Sequence, residues 1–318
     1  MLLQALLVVA GLVLLPLGAW ALVRGSTGLA LRMGISALAI GLTVVAFGTG
    51  GPELVLGVRA ASTGNTGIAL GNVVGSNISN IALVLGLAAL VKPMKVRSEL
   101  VRREIPVMIA VTLVLCALLI DKELSRFEGL VLVSGAFVYL IAVYRAAKRS
   151  RAKPSVDRQF DQAYVPTRSL WLDLLLTSAG LVALLIGAQL LLDGAVFFAT
   201  ALGVNQVVIG LTVVAVGTSL PELATSVTST VRNEADVAFG NAVGSNIFNI
   251  LVVLGAVALV SPLRIEGLRA ADLVVLVSSA VVLLLIMRRG WVLNRWEGAA
   301  LLGAYALYMY FVMTSGRV

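Results

Sequence analysis

Histidine is absent from the 318-residue chain, and cysteine occurs once, as Cys116 inside an apolar run. The first absence removes the imidazole base, the histidine metal ligand and the Ser-His-Asp triad. The second excludes a disulfide within the chain and leaves no basis for a thiolate metal cluster. Charge is scarce as well. Asp, Glu, Lys and Arg make up 13% of residues, about half the fraction usual in a soluble domain. No polar stretch is long enough to fold as an extramembrane domain. Proton or metal chemistry therefore falls to carboxylates, amides, hydroxyls and backbone carbonyls, and an enzyme is not expected.

Apolar residues are abundant instead, at 59% of the chain with a mean hydropathy of +1.02. A spanning helix needs ~20 mostly apolar residues. Ten candidate spans are predicted, near 3–23, 34–61, 66–91, 104–120, 127–144, 170–192, 204–231, 236–260, 270–287 and 297–314. The first lacks a basic leader and reads as a spanning helix ending at Arg24 rather than a signal peptide. Asp193, at the end of the sixth span, reads as a mouth acid or a helix cap.

The net charge of +8 would suggest nucleic acid in a soluble protein. Here the basic residues sit in short loops, so nucleic acid is not an expected partner and the lipid bilayer is. With the N-terminus outside, 18 basic residues fall on the cytoplasmic side and six outside. That asymmetry favours both termini outside, with the hydrophilic linker at 146–169 cytoplasmic.

Residues 41–86 and 210–255 align without a gap at 25 of 46 positions, offset by 169. The identities include Gly, Thr, Pro, Glu, Ser and Asn, which apolar composition alone does not produce, so the chain carries a duplication. Each half holds five spans. Five is odd, so the second half starts on the opposite side from the first. The expected fold is an all-α membrane protein forming a single membrane domain over 1–318. It has ten transmembrane helices as two inverted five-helix repeats, 1–145 and 170–318, with interrupted helices at the midplane. Such repeats are characteristic of secondary transporters.

The chemistry lies in the repeated motifs. Pro52 and Pro221 have no N–H to give the carbonyls of Gly48 and Gly217. Each motif thus sets bare carbonyl oxygen beside a carboxylate, Glu53 or Glu222. Thr49 and Glu53, four apart, would share a helix face, as would Thr218 and Glu222. Asn72, Ser76 and Asn80 step by four along the next span, and Asn241, Ser245 and Asn249 repeat the pattern. A lone proline is often no more than a kink, and Ser, Thr and Asn often only hold helices together. The glutamates are different. A mid-membrane ionisable residue costs at least ~2.5–3.5 kcal/mol and is functional by default. Two carboxylates with hydroxyl, amide and carbonyl oxygens make a ligand set for a hard cation such as Ca²⁺ or Na⁺.

The paired GTxxPE…GNxxGSNIxNI blocks resemble the alpha repeats of the calcium/cation antiporter superfamily, and within it the prokaryotic sodium/calcium exchangers. The resemblance implies that Glu53 and Glu222 are central Ca²⁺ ligands. It implies that Thr49, Ser76 and Asn80 join them from the first repeat, and Thr218, Ser219, Ser245 and Asn249 from the second. Backbone carbonyls near Ala46 and Ala215 are implied as well, as is a gate formed by spans one and six. The transported ions would be Ca²⁺ and Na⁺, with no cofactor and no obligatory protein partner, in a plasma (inner) membrane. Two departures stand out. Gly50 replaces the serine usual in the first motif, which would weaken or delete one Na⁺ site. Position 249 is Asn, where several relatives carry Asp. An H⁺/Ca²⁺ or other cation/H⁺ antiporter is the alternative, and a cation channel a further one.

Overall fold

The computed structural model describes residues 1–64, 66–150, 169–203, 215–264 and 268–315. The linker positions 151–168 and the start of the seventh candidate span, 204–214, lie outside the described residues. The remainder is almost entirely helical. In chain order the helices are α1 (Leu2–Met33), α2 (Ala37–Thr49), α3 (Gly51–Ser62), α4 (Thr66–Val91), α5 (100–118) and α6 (Arg126–Ser150). The second half supplies α7 (Leu170–Ala201), α8 (Ala215–Thr218), α9 (Leu220–Val231), α10 (Ala235–Val260), α11 (Ala270–Met287) and α12 (Arg295–Ser315). Six of them are individually long and apolar enough to cross a membrane, and the pair α2–α3, bent by 43°, makes a seventh such segment.

Two helices run longer than their sequence predicts. α1 continues past Arg24 through Gly25-Ser26-Thr27-Gly28 and stops only at Gly34, whose φ of 63° ends the helix in a left-handed cap. Its polar residues are no interruption, because Gly25, Ser26, Thr27 and Gly28 are all buried against neighbours. α7 likewise runs on to Ala201, so Asp193 lies inside a helix rather than at its end. It is exposed there and accepts from Gln189 Nε2 at 2.8 Å. At 32 residues each, these helices are ~48 Å long, well beyond the ~30 Å hydrocarbon core. They must tilt or protrude.

Glycine sets how closely the helices approach. α1 and α7 lie antiparallel: Gly11 faces Gly187 and Gly18 faces Gly180. A Cβ on Gly11 would meet Gly187 O at 2.8 Å, and one on Gly187 would meet Leu15 N at 2.8 Å. Adding 169 to Gly11 and Gly18 gives Gly180 and Gly187, so each contact recurs with its partners exchanged. The same exchange recurs at other contacts among the described residues. Gly86 packs on Gly298 and Gly129 on Gly255. The two short ladders pair β1 (Met94–Lys95) with β4 (Val292–Leu293) and β2 (Glu123–Leu124) with β3 (Leu263–Arg264), both antiparallel. Met94 opposite Leu293 becomes, on exchange, Leu263 opposite Leu124.

α4 and α10 form the centre, with 78% of their apolar windows buried, against 28% for α1 and 22% for α7. The outward faces of α1, α6, α7 and α12 carry exposed apolar side chains such as Leu6, Val9, Phe137, Leu175 and Leu307, the surface that lipid covers.

Substituting Val at Gly11 or Gly187 should loosen the α1–α7 seam. Overpacking of this kind costs ~1–3 kcal/mol. Both variants should lose detergent-solubilised protein at a lower temperature than the parent, by similar amounts because Gly11 and Gly187 face one another across a single contact. Unchanged melting in fluorescence-detected size exclusion would contradict the packing described.

Candidate functional site

The chain breaks at the same conformation in both motifs. Gly50 has φ −78° and ψ 1°, and Ser219 has φ −88° and ψ 5°. A new helix starts at once, with Pro52 or Pro221 as its second residue. There a missing N–H is harmless, since the first N–H groups of a helix have no intrahelical partner. The first bonds of the new helices are Leu54 N to Gly50 O (3.2 Å) and Leu223 N to Ser219 O (3.0 Å). Glu53 and Glu222 therefore fall in a first turn, where the positive end of the helix dipole favours a carboxylate. Both are 1% exposed.

The break also alters one expectation. Thr49 and Glu53 do not share a continuous helix. Thr49 ends α2, and its hydroxyl donates to Asn241 Oδ1 at 3.2 Å. Asn241 in turn donates from Nδ2 to the Glu222 carbonyl at 3.4 Å and to Ser226 Oγ at 3.3 Å. A threonine of the first half thereby helps position the glutamate motif of the second.

Opposite the motifs, α4 and α10 widen into π turns at Asn80–Val84 and Asn249–Leu254, a distortion common at functional sites. α9 packs on the first of these turns and α3 on the second. Four carboxamides tie the two helices together. Asn77 Nδ2 donates to Asn246 O and Asn246 Nδ2 to Asn77 O, each at 3.2 Å. Asn80 Nδ2 donates to Asn246 Oδ1 and Asn249 Nδ2 to Asn77 Oδ1, each at 3.1 Å. Asn80 and Asn249 thus spend their donor ends on this cross-brace and keep their oxygens spare.

Those oxygens belong to a larger set. Oε2 of Glu53 and of Glu222, Oδ1 of Asn80 and of Asn249, and Oγ of Ser219 and of Ser245 are all buried with no hydrogen-bond partner among the described residues. A buried polar atom left unpaired costs ~1–3 kcal/mol, and more when charged. Two of these six are carboxylate oxygens, and such a set suits a hard cation; Asn72 Nδ2 and the hydroxyls of Ser79, Thr225 and Ser229 are likewise buried without a partner among the described residues. Thr49, Ser76 and Thr218 are buried as well, and so is Ala46, whose carbonyl accepts Gly50 N at 3.0 Å and keeps its second lone pair. Ala215 opens α8, four residues before Ser219. Among the described residues no group of three Cys, Asp or Glu gathers elsewhere as a metal site.

A family model described as sodium/calcium exchanger protein matches the chain twice, over residues 3–145 and 172–314. The chain belongs to the sodium/calcium exchanger protein family. The two matches are offset by the same 169 residues as the internal repeat. Among exchanger relatives, the putative antiporter CaxA of Alkalimonas amylolytica is 38% identical over 99% of this chain and 100% of its own. The sodium/calcium exchanger MaX1 of Methanosarcina acetivorans is 31% identical over 96% and 97%. The sodium-calcium exchanger NCX_Mj, solved after soaking with 2.5 mM Na⁺ and 0.1 mM Ca²⁺, superposes with a TM-score of 0.85 at 33% identity over the whole of both chains. The protein is thus an integral multi-pass membrane protein with the fold of a known exchanger.

The four-residue spacing of 72, 76 and 80 marks one helix face and leaves out Asn77 and Asn246. These lie one step off that face and supply the cross-brace. The signal was present in the GSN tripeptide, unchanged in both repeats. Replacing Asn77 or Asn246 by Ala should each destabilise the protein by ~1–3 kcal/mol, the cost of orphaning buried amides. The double variant should lose less than the sum, because the residues share one network. Additive losses in a thermal double-mutant cycle would contradict a shared brace.

Proposed function

We propose that this exchanger-family protein is a secondary active antiporter that moves Ca²⁺ against Na⁺ by alternating access, with Glu53 and Glu222 as cation ligands shared by both ions. The observation that carries the reading is the set of buried, unpartnered acceptor oxygens that includes both carboxylates of the repeated motifs. Thr49, Ser76, Asn80 and the Ala46 carbonyl complete the ligand set from the first half. Thr218, Ser219, Ser245, Asn249 and the Ala215 carbonyl complete it from the second.

The proposed scaffold is ten spans in two inverted five-helix repeats, 1–145 and 170–318, joined by the 146–169 linker within one membrane domain. The exchanged contacts and the antiparallel course of α1 and α7 support it. Segments that the charge distribution assigns to the cytoplasm also meet on one side. Arg32 binds Asp173 at 2.6 Å, Thr27 donates to Glu234 at 2.7 Å, and Arg102 stacks on Trp291. We therefore place both termini outside, in a plasma (inner) membrane.

Charge supplies the logic of exchange. Two bare carboxylates are costly to enclose in a low-dielectric interior. One Ca²⁺ neutralises them, and so do two Na⁺. A loaded site can be occluded and passed to the other side, whereas an empty doubly charged one resists the passage. This makes an exchanger rather than a uniporter or a channel. α1 and α7, bonded mainly to each other and little buried, suit a pair that slides across the fixed centre as a gate. H⁺/Ca²⁺ exchange is the second reading, favoured by Gly50, which offers no hydroxyl to Na⁺.

Purified protein in sealed liposomes separates these readings. Uptake of radioactive Ca²⁺ is expected from Na⁺-loaded vesicles diluted into Na⁺-free buffer, and not from K⁺-loaded or acid-loaded ones. Glu53→Gln and Glu222→Gln should each abolish that uptake while the protein still elutes as a folded species. Normal exchange in both variants would sink the mechanism, and uptake driven by the proton gradient alone would move the protein to the second reading.

A further inference from the structure

The two halves are not equivalent where it matters for counting ions. Gly50 and Ser219 occupy matching positions with the same backbone conformation, which Ser219 shows a side chain can adopt. Conformation therefore does not require glycine at position 50. Space does. A Cβ there would lie 2.7 Å from Phe248 Cδ1 and 2.8 Å from Cε1. Phe248 is 5% exposed and is held in place by Phe47, with ring centroids 4.5 Å apart at 54°. The repeat partner of Phe248 is Ser79, also buried. The 169-residue offset thus sets Ser219 and Ser79 at the positions that match Gly50 and Phe248.

The consequence for cation binding is chemical. In the second half, Ser219 Oγ and Glu222 Oε2 are both buried without a hydrogen-bond partner among the described residues. At the matching place in the first half, the serine oxygen is gone and a phenyl ring fills the volume. A phenyl edge has no lone pair, so a desolvated monovalent cation cannot complete its oxygen shell there.

Resting on the Na⁺/Ca²⁺ reading above, we propose that Phe248 plugs one monovalent-cation subsite of the first half. The plug limits the antiporter to two Na⁺ per Ca²⁺ and makes its exchange electroneutral. The fixed charge agrees, since Glu53 and Glu222 contribute two negative charges while Asn80 and Asn249 contribute none. Ca²⁺ and two Na⁺ then leave the site with the same net charge. Phe248 acts here as a stoichiometry-setting residue that binds no ion itself.

The test is Na⁺-driven uptake of radioactive Ca²⁺ into liposomes, with membrane potentials of either sign set by K⁺ gradients and valinomycin. The unaltered chain should transport at the same rate at every potential. The paired variant Gly50→Ser with Phe248→Ser copies Ser219 and Ser79 into the first half. Its exchange should become potential-dependent, with the Hill coefficient for Na⁺ rising by about one. Gly50→Ser alone, which drives a Cβ into the ring, should lose uptake. Potential-dependent transport by the unaltered chain would overturn the proposal even if the paired variant fails to fold. A paired variant that transports as electroneutrally as its parent would overturn the role of Phe248. Failure of the Na⁺/Ca²⁺ reading itself looks different, as an unaltered chain with no Na⁺-driven uptake at any potential.

Discussion

The structure depends on two buried carboxylates, Glu53 and Glu222, in a centre that also holds buried acceptor oxygens without hydrogen-bond partners. Such an arrangement is unfavourable for the protein alone, and the surrounding architecture limits the penalty without cancelling it. Each glutamate is placed in the first turn of a broken helix, where the dipole is favourable. The broken helices are made by a glycine or serine with ψ near zero followed by a proline that has no hydrogen bond to lose. In the proposed mechanism a transported cation supplies the remaining deficit of positive charge.

Holding the centre together is a separate task, given to α4 and α10. Asn77 and Asn246 donate to each other's backbone carbonyls and accept from Asn249 and Asn80 across the two halves. That leaves the Asn80 and Asn249 oxygens fixed in orientation and free for other use. In the proposed mechanism a centre with oxygens preset binds the ions, and the loosely buried α1–α7 pair moves.

Much of this was legible in the sequence. The offset of 169 residues, the proline–glutamate motif and the repeated GNxxGSN block identify the family and the residues of the candidate site. They do so because each is chemically out of place in an apolar segment. Other features were hidden for physical reasons. Apolar periodicity marks how much helix the hydrocarbon core requires, so it gave no cause to extend α1 beyond Arg24. The extension is stabilised by contacts with α7 and by the Asp173 and Glu234 partners, which are distant in sequence. The Thr49 contact with Asn241 depends on where the helix breaks, and a four-residue spacing assumes that it does not. The fit of Phe248 to Gly50 joins positions 198 residues apart, and only packing reveals it.

The central claim is that one pair of glutamates serves both ions, and equilibrium binding tests it most directly. Calorimetric titration of the purified protein with Ca²⁺ should give one saturable site whose apparent affinity falls as Na⁺ is raised, with choline at matched ionic strength having no such effect. Ca²⁺ binding indifferent to Na⁺ would contradict a shared site and the exchange mechanism built on it.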